Sequence, residues 1–546
     1  MRVGVVLTFL TYARTVTFSF VYDDFALIDL NPAMESWHSI PRMFTTQFWS
    51  FVDTPLIGSF YRPLTMLWLF LVNRLGSGAP GWFHLLLVLT HILVVIEVFV
   101  FTRMLFRDAR LAALAAAIFG LHPTKIESVA WISGISDVLC AAFLFGGLIA
   151  WLRWRESSPR RGMRLVLSLV LIECALLSKE AAVVAAAMII VYEFVARRGT
   201  PFFTRCGDTL VAALPFWTLT AAHLVVRSRI SGVDSATTGY MTLPQALNTA
   251  PAALWWYIRQ QFLPLQFSCY YPTLIIDHFA VGRVLLPALA LLVIALIVGF
   301  AVRRSPASSM VACWFPIALG PVVAAAPALQ LHDRYSYLAG YGAAVFTAWV
   351  LCRVFRGDRA FAVASALVLI ALSLQTYRNT LPWDSDVSLF EHGLTVAPDN
   401  LNLNGTLAAA YFGEARYPEA IAVDQRILAH RPYVASTWVH LAECQAFLGQ
   451  KQESEKSFRR VLSCRVGPDT AYAMRRLGQF AMERNDYPQA EHWFRSATIA
   501  DPASAGGHRL LSSVLKELGR TAEAADELAI ANRLGRASLP PPRVRQ

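Results

Sequence analysis

Long apolar stretches alternate with short polar connections from residue 3 to about residue 377, and beyond that point the apolar runs stop. A straight membrane-crossing helix needs ~20 mostly apolar residues. On that scale the pattern predicts spans at about 3–21, 83–102, 110–122, 131–152, 163–178, 181–197, 207–227, 281–302, 308–327, 336–355 and 359–377, about eleven in all. Two shorter apolar pieces, 63–75 and 252–265, begin or end at a proline, and the second carries Arg259. They are expected to lie on, or dip into, one face of the membrane rather than cross it.

The remaining residues follow a different rhythm. Prolines at 398, 432, 468 and 502 are 34, 36 and 34 residues apart, each preceded by a helical pattern. Between them recur Tyr417-Pro418-Glu419-Ala420, Tyr487-Pro488-Gln489-Ala490 and Thr521-Ala522-Glu523-Ala524. A 34-residue period with an alanine after the turn and a proline at the repeat end is the tetratricopeptide (TPR) pattern, in which helix pairs stack into an α-solenoid. The chain therefore divides into a membrane domain over 1–380, a half repeat or connection over 381–398, about four repeats over 399–535, and a disordered tail over 536–546. The expected fold class is all-α, a polytopic membrane bundle followed by a solenoid.

Composition agrees: 56% of residues are hydrophobic, 16% are charged and mean hydropathy is +0.46, against about 25% charged in soluble domains. The net charge of +11 does not indicate nucleic acid, because the arginines fall mainly in short connections between spans. With eleven spans, the clusters Arg103/Arg107/Arg110, Arg153/Arg155/Arg160/Arg161/Arg164, Arg197/Arg198/Arg205, Arg303/Arg304 and Arg353/Arg356/Arg359 all fall on one side. The positive-inside rule makes that side cytoplasmic. The N-terminus is then cytoplasmic and the repeats are extracytoplasmic. The eight cysteines show no zinc or haem spacing, and a Cys444–Cys464 disulfide is open but unsupported.

The opposite face gathers the polar motifs. Tyr22-Asp23-Asp24 follows the first span, and charge beside a bilayer is expensive enough to point to function. Taken alone, the acid pair is more simply two solvated residues in a loop. The same connection carries Tyr61-Arg62-Pro63-Leu64-Thr65, and the next two outer connections carry His122-Pro123-Thr124-Lys125-Ile126-Glu127, with Asp137 beyond it, and Leu177-Ser178-Lys179-Glu180. A fifth motif is His332-Asp333-Arg334-Tyr335-Ser336-Tyr337. Only five of the 48 basic residues are lysines, and the two in the membrane domain, Lys125 and Lys179, both fall in these outer connections. Chance and interfacial snorkelling explain such lysines; a phosphate site explains them with the arginines beside them. His84 and His91 share a face of the second span, where a hydrogen-bonded pair is the simpler account than a metal pair.

Together these motifs, with Phe83-His84, His91, Ser136-Asp137 and Leu338, resemble the transmembrane-and-tetratricopeptide-repeat (TMTC) proteins and their bacterial relatives. The resemblance implies a GT-C type glycosyltransferase that uses a polyprenyl-phosphate sugar donor and a loop acid near the first helix. Its eukaryotic members are linked to protein O-mannosylation, so a mannose-like hexose is expected. On this reading Asp23 is the general base of an inverting transfer, and Asp24 supports it or holds a divalent metal. Lys125, Lys179, Arg62 and Arg334 bind the donor phosphate. Glu127, Asp137, Glu180, His122 and Asp333 support them, with Glu180 holding Lys179 charged. The repeats bind a protein or peptide acceptor. Heavy use of arginine favours a bacterial inner membrane, with the repeats in the periplasm. Two other classes compete: a membrane-anchored TPR scaffold for partner assembly, which does not need this outer polar set, and a transporter, which needs polar groups at mid-membrane such as Glu97 and Glu173.

Overall fold

A computed structural model describes residues 1–52, 60–156, 161–231, 242–272, 274–302, 305–325, 331–464 and 467–537. Arg160, Arg303, Arg304 and the tail from 538 onward lie outside the described residues. Among the described residues every regular element is helical. Two compact units emerge, Met1–Ala397 and Pro398–Gln546. The half-repeat helix Asp386–Val396 therefore belongs with the membrane unit. Its Phe390 ring packs 6.0 Å from Tyr22, and the preceding Trp383 lies 6.3 Å from Trp131.

Five described helices are long and apolar enough to cross a membrane: Pro80–Phe106, Ile132–Arg155, Phe202–Ser231, Val281–Phe300 and Asp358–Asp384. Two more, Ala109–Leu121 and Gly340–Val354, are apolar but shorter. The helix at 132–155 is the hub, with 83% of its apolar window buried, whereas the helix at 358–384 buries 6% and presents its apolar surface outward. Around the hub, Phe145 stacks on Trp314 at 5.5 Å, and Tyr341 closes on both rings.

The first span, expected at 3–21 and interrupted by Arg14, is not one α-helix. The α-helix Arg2–Tyr12 gives way to a 3-10 segment Ala13–Thr17. The cause is local: Thr15 and Thr17 hydroxyls donate back to the Tyr12 and Arg14 carbonyls, competing with the α-helical ladder.

The second unit is four helix pairs: Leu401–Gly413 with Tyr417–His430, Ala435–Phe447 with Lys451–Val461, Pro468–Glu483 with Tyr487–Ala500, and Ala505–Glu517 with Thr521–Ala537. Helix thus reaches residue 537, inside the stretch read from sequence as a tail. Each pair turns through a left-handed residue at an equivalent place, Ala415 (φ 58°), Gly449 (φ 74°), Asn485 (φ 60°) and Gly519 (φ 75°). The next N–H reaches back in a Schellman bond each time, as in Arg416 N–H to Tyr411 O at 2.8 Å. Ala415 is the poorest fit, because its Cβ is crowded there. Ala415→Gly is expected to stabilise the repeat unit by ~1 kcal/mol, raising its thermal midpoint by ~2–4 °C in a melting experiment.

Candidate functional site

The site begins with two turns locked by their own side chains. Pro123 opens a 3-10 turn, and His122 caps it by accepting the Thr124 N–H. The other ring nitrogen of His122 donates to the Gln261 carbonyl at 3.0 Å. Both ring nitrogens of His122 are therefore engaged by protein groups, and the ring holds the loop in place. After the short helix Ile126–Val129 the chain must fold back tightly. Gly134 permits this, since a Cβ there would lie 2.7 Å from the Glu127 carbonyl oxygen.

The 3-10 turn Asp333–Ser336 lies against this loop. Lys125 is fully buried and donates to the Ser336 and Tyr337 carbonyls at 3.2 and 3.0 Å, where a cation satisfies the open carbonyl end of the turn. Burial pushes its ammonium down to about 7, against the pull of Asp333 and Asp137. Asp333 accepts from Tyr271 Oη at 2.5 Å and Gln260 Nε2 at 3.3 Å, and burial pushes it up to about 8. Lys125 and Asp333, read from sequence as a phosphate ligand and its support, both bond to protein groups at the turn that carries Arg334 and Tyr335.

Three cation–carboxylate pairs surround Tyr335. Arg62 grips Glu180 through two bonds of 3.0 and 2.6 Å. Lys179 Nζ meets Asp137 Oδ1 at 2.6 Å, and Arg334 Nη1 meets Glu127 Oε1 at 2.7 Å. The sequence reading paired Lys179 with its neighbour Glu180. The structure exchanges these partners, because Lys179 is extended at the start of the 3-10 turn Glu180–Val183 and successive side chains there point apart. Tyr335 sits among the cations, 5.3 Å from the Arg334 guanidinium and 5.7 Å from the Lys179 ammonium, and is a Coulombic neighbour of Arg62. Burial opposes ionisation of Glu127 and Glu180, but Arg334 with His332, and Arg62 with Lys179, outweigh it and hold both near 2. Three cations and three carboxylates cancel. What the cluster offers an anion is aimed donors rather than net charge: each guanidinium has five N–H groups and its carboxylate uses at most two.

The acid pair separates into two roles. Asp24 is fully buried. Its Oδ1 accepts from the Ser133 N–H at 2.9 Å and hydroxyl at 2.5 Å, and its Oδ2 from the Val21 N–H at 3.2 Å. With both oxygens taken by protein donors, Asp24 fits a clamp better than a metal ligand. Asp23 is half-buried and makes no hydrogen bond to the described residues; its charged neighbour is Arg334. Burial pushes its carboxyl up to about 6, with Arg334 pulling it back. Between the clamp and Asp23, Tyr22 is left-handed (φ 56°), a costly conformation for a bulky residue. It is held by its N–H bond to Asp386 Oδ1 at 2.7 Å and its hydroxyl contact with Tyr270. Trp131 joins the halves, lying against Tyr22 at 5.8 Å and under Arg334 at 5.0 Å.

Sequence reasoning left Tyr22, Ser133, Trp131, Tyr335 and Asp386 without roles. Tyr22 and Tyr335 sat inside quoted motifs, whereas nothing in the sequence links Asp386 to a loop 364 residues away. His91 hydrogen-bonds through both ring nitrogens, to Tyr337 Oη at 2.6 Å and the Gly120 carbonyl at 3.1 Å, which leaves no nitrogen for a metal pair with His84. Glu173 is paired with His223 at 2.9 Å.

No family model matches the chain. Protein O-mannosyl-transferase Tmtc2 of Drosophila melanogaster is 34% identical over 188 residues, covering 33% of this chain and 20% of that protein. Protein O-mannosyl-transferase TMTC3 of Mus musculus is 22% identical over 530 residues, covering 85% of this chain and 55% of that protein. The chain is related by sequence to the TMTC proteins. F38B6.6 of Caenorhabditis elegans, also a protein O-mannosyl-transferase, matches at 22% over 73% of this chain and 58% of its own length. The chain thus spans little more than half of these relatives at most. Among solved structures, MamA aligns over 30% of the chain at 15% identity and a TM-score of 0.26. The oligosaccharyltransferase AglB of Archaeoglobus fulgidus aligns over 69% at 14% identity and a TM-score of 0.38.

Proposed function

We propose that this integral membrane protein is an inverting glycosyltransferase of the GT-C type. It moves a hexose, with mannose favoured by the relatives' names, from a polyprenyl phosphate to a hydroxyl of a protein or peptide, at the extracytoplasmic face of a bacterial inner membrane. The observation that carries this reading is Asp23: an acid whose carboxylate has no hydrogen bond among the described residues, beside Arg334, on a loop clamped by Asp24 and next to the strained Tyr22. Backbone strain retained at Tyr22, next to this half-buried acid, supports a working site.

In the proposed step, Asp23 accepts the proton of the acceptor hydroxyl as that oxygen attacks the anomeric carbon, and the bond from that carbon to the phosphate oxygen breaks. A base must lie within hydrogen-bond reach of the proton it takes. The leaving lipid phosphate is already a good anion and needs no acid. Arg62, Lys179 and Arg334 meet its charge with donors fixed in advance by Glu180, Asp137 and Glu127, so little reorganisation is needed as charge develops. The repeats hold the acceptor. Titrating the purified chain with polyprenyl phosphate tests the donor assignment: saturable binding is expected, and none by a folded chain would contradict it.

The reading requires the motifs and the repeats to share the extracytoplasmic side. Reporter fusions at Glu156 and Pro398 are expected to give cytoplasmic and extracytoplasmic signals respectively. The same signal at both would remove the shared face.

A further inference from the structure

The repeat unit holds a cluster that sugar transfer does not use. Asp424 lies on the helix Tyr417–His430, while His440 and Cys444 lie on the helix Ala435–Phe447. The latter two are four residues apart and so share one helix face. Asp424 is 1% exposed and Cys444 is fully buried. His440 Nδ1 lies 2.7 Å from Asp424 Oδ2 and 3.9 Å from Cys444 Sγ. All three potential ligand atoms fall within 4.8 Å of one another.

We infer that Asp424, His440 and Cys444 form a binding site for one zinc-like divalent cation that pins the first repeat to the second. Zinc bonds of ~2.0–2.3 Å place neighbouring ligand atoms of a tetrahedron roughly 3.3–3.8 Å apart. The two distances from His440 Nδ1 bracket that range, so a small opening toward Asp424 and closing toward Cys444 builds three corners. One carboxylate, one imidazole and one thiolate suit a borderline-soft ion, whereas magnesium and calcium take oxygen alone. Binding takes Cys444 as the thiolate, its thiol proton passing to solvent, with His440 ligating through Nδ1 as neutral imidazole whose proton sits on Nε2 and Asp424 as carboxylate. The fourth corner takes water. The His440 side chain is 25% exposed, which gives an ion a way in. The bond from His440 to Asp424 would pack these helices without an ion, but that role does not require a sulfur beside the imidazole. Cys444 and Cys464 are both free thiols, so the disulfide left open from the sequence is not formed and Cys444 is available as a ligand.

Cobalt(II) reports thiolate ligation directly, and the probe is that metal added to the full chain in detergent. One equivalent is expected to give a cobalt–thiolate charge-transfer band with tetrahedral visible absorption, displaced by zinc. Cys444→Ser should abolish the band. Asp424→Asn, which keeps the side-chain shape, should weaken cobalt binding by at least the ~10–100-fold that loss of even an outer-shell partner costs. Cys464→Ser should change neither. No thiolate band in the wild-type chain, or an undiminished band in Cys444→Ser, would overturn the site.

Discussion

Asp23→Asn is expected to reduce transfer by ~10²–10⁴-fold, the usual cost of a lost general base, with donor affinity unchanged. It should not unfold the protein. The Asp23 carboxyl is raised by burial from 3.8 to about 6, so its ionised form is disfavoured in the fold, and stability is lost as pH rises from below 3.8 through about 6. Asparagine removes that penalty, and the thermal midpoint at pH 7 should match or exceed wild type. Asp24→Asn should behave differently. Its amide would present a donor to the Val21 N–H or to Ser133, both already donors, so stability and activity should fall together. The wild-type rate should drop below about pH 6 as Asp23 takes up its proton, and level off above. Removing the Arg334 charge should move that midpoint upward. Wild-type turnover in Asp23→Asn would end its role as base, and an inactive but stable Asp24→Asn would exchange the two roles.

Lys179→Ala is expected to weaken donor binding by ~10–100-fold, the equivalent of the ~1.5–3 kcal/mol of one charged hydrogen bond. The structure adds a complication. Asp137 is 6% exposed beside Lys179, and its second oxygen has no partner among the described residues. Removing the lysine strands a buried carboxylate, at a cost of ~3–5 kcal/mol of stability. The double variant Lys179→Met/Asp137→Asn separates the effects: stability should largely return, while donor affinity stays low. Lys179→Arg should recover part of the affinity, since charge survives in a different geometry. Titration with polyprenyl phosphate and a melting curve read both quantities. Normal donor affinity in the double variant would leave Lys179 a structural partner of Asp137 and move the phosphate clamp to Arg62 and Arg334.

The solenoid was legible because its repeats are local: a proline period and an alanine after each turn fix helix pairs without distant contacts. The membrane helices were legible as apolar runs, but their lengths were not. The break after Tyr12 depends on threonine hydroxyls turning back onto the backbone, which hydropathy does not register. In the site, the motifs identified the residues that converge, while pairing by adjacency failed for Lys179. Its partner Asp137 lies on another helix, and Glu180 is turned away by the extended backbone at Lys179. Lys125 shows the same limit. Scarcity marked it, but its burial and its two carbonyl bonds to the turn bearing Arg334 are visible only in the fold. The clamp from Asp386 to Tyr22 had no signal in sequence, since hydrogen bonds between distant loops leave no periodicity.

The activity proposed for this chain is sugar transfer. Purified chain in nanodiscs would be given labelled polyprenyl-phosphate mannose and a peptide bearing serine and threonine, and the product examined for label and anomeric configuration. Labelled peptide with inverted configuration is expected, and it should be lost in Asp23→Asn. A folded chain that binds the donor but transfers no label from any polyprenyl-phosphate hexose to peptide, protein or water would contradict the proposed activity.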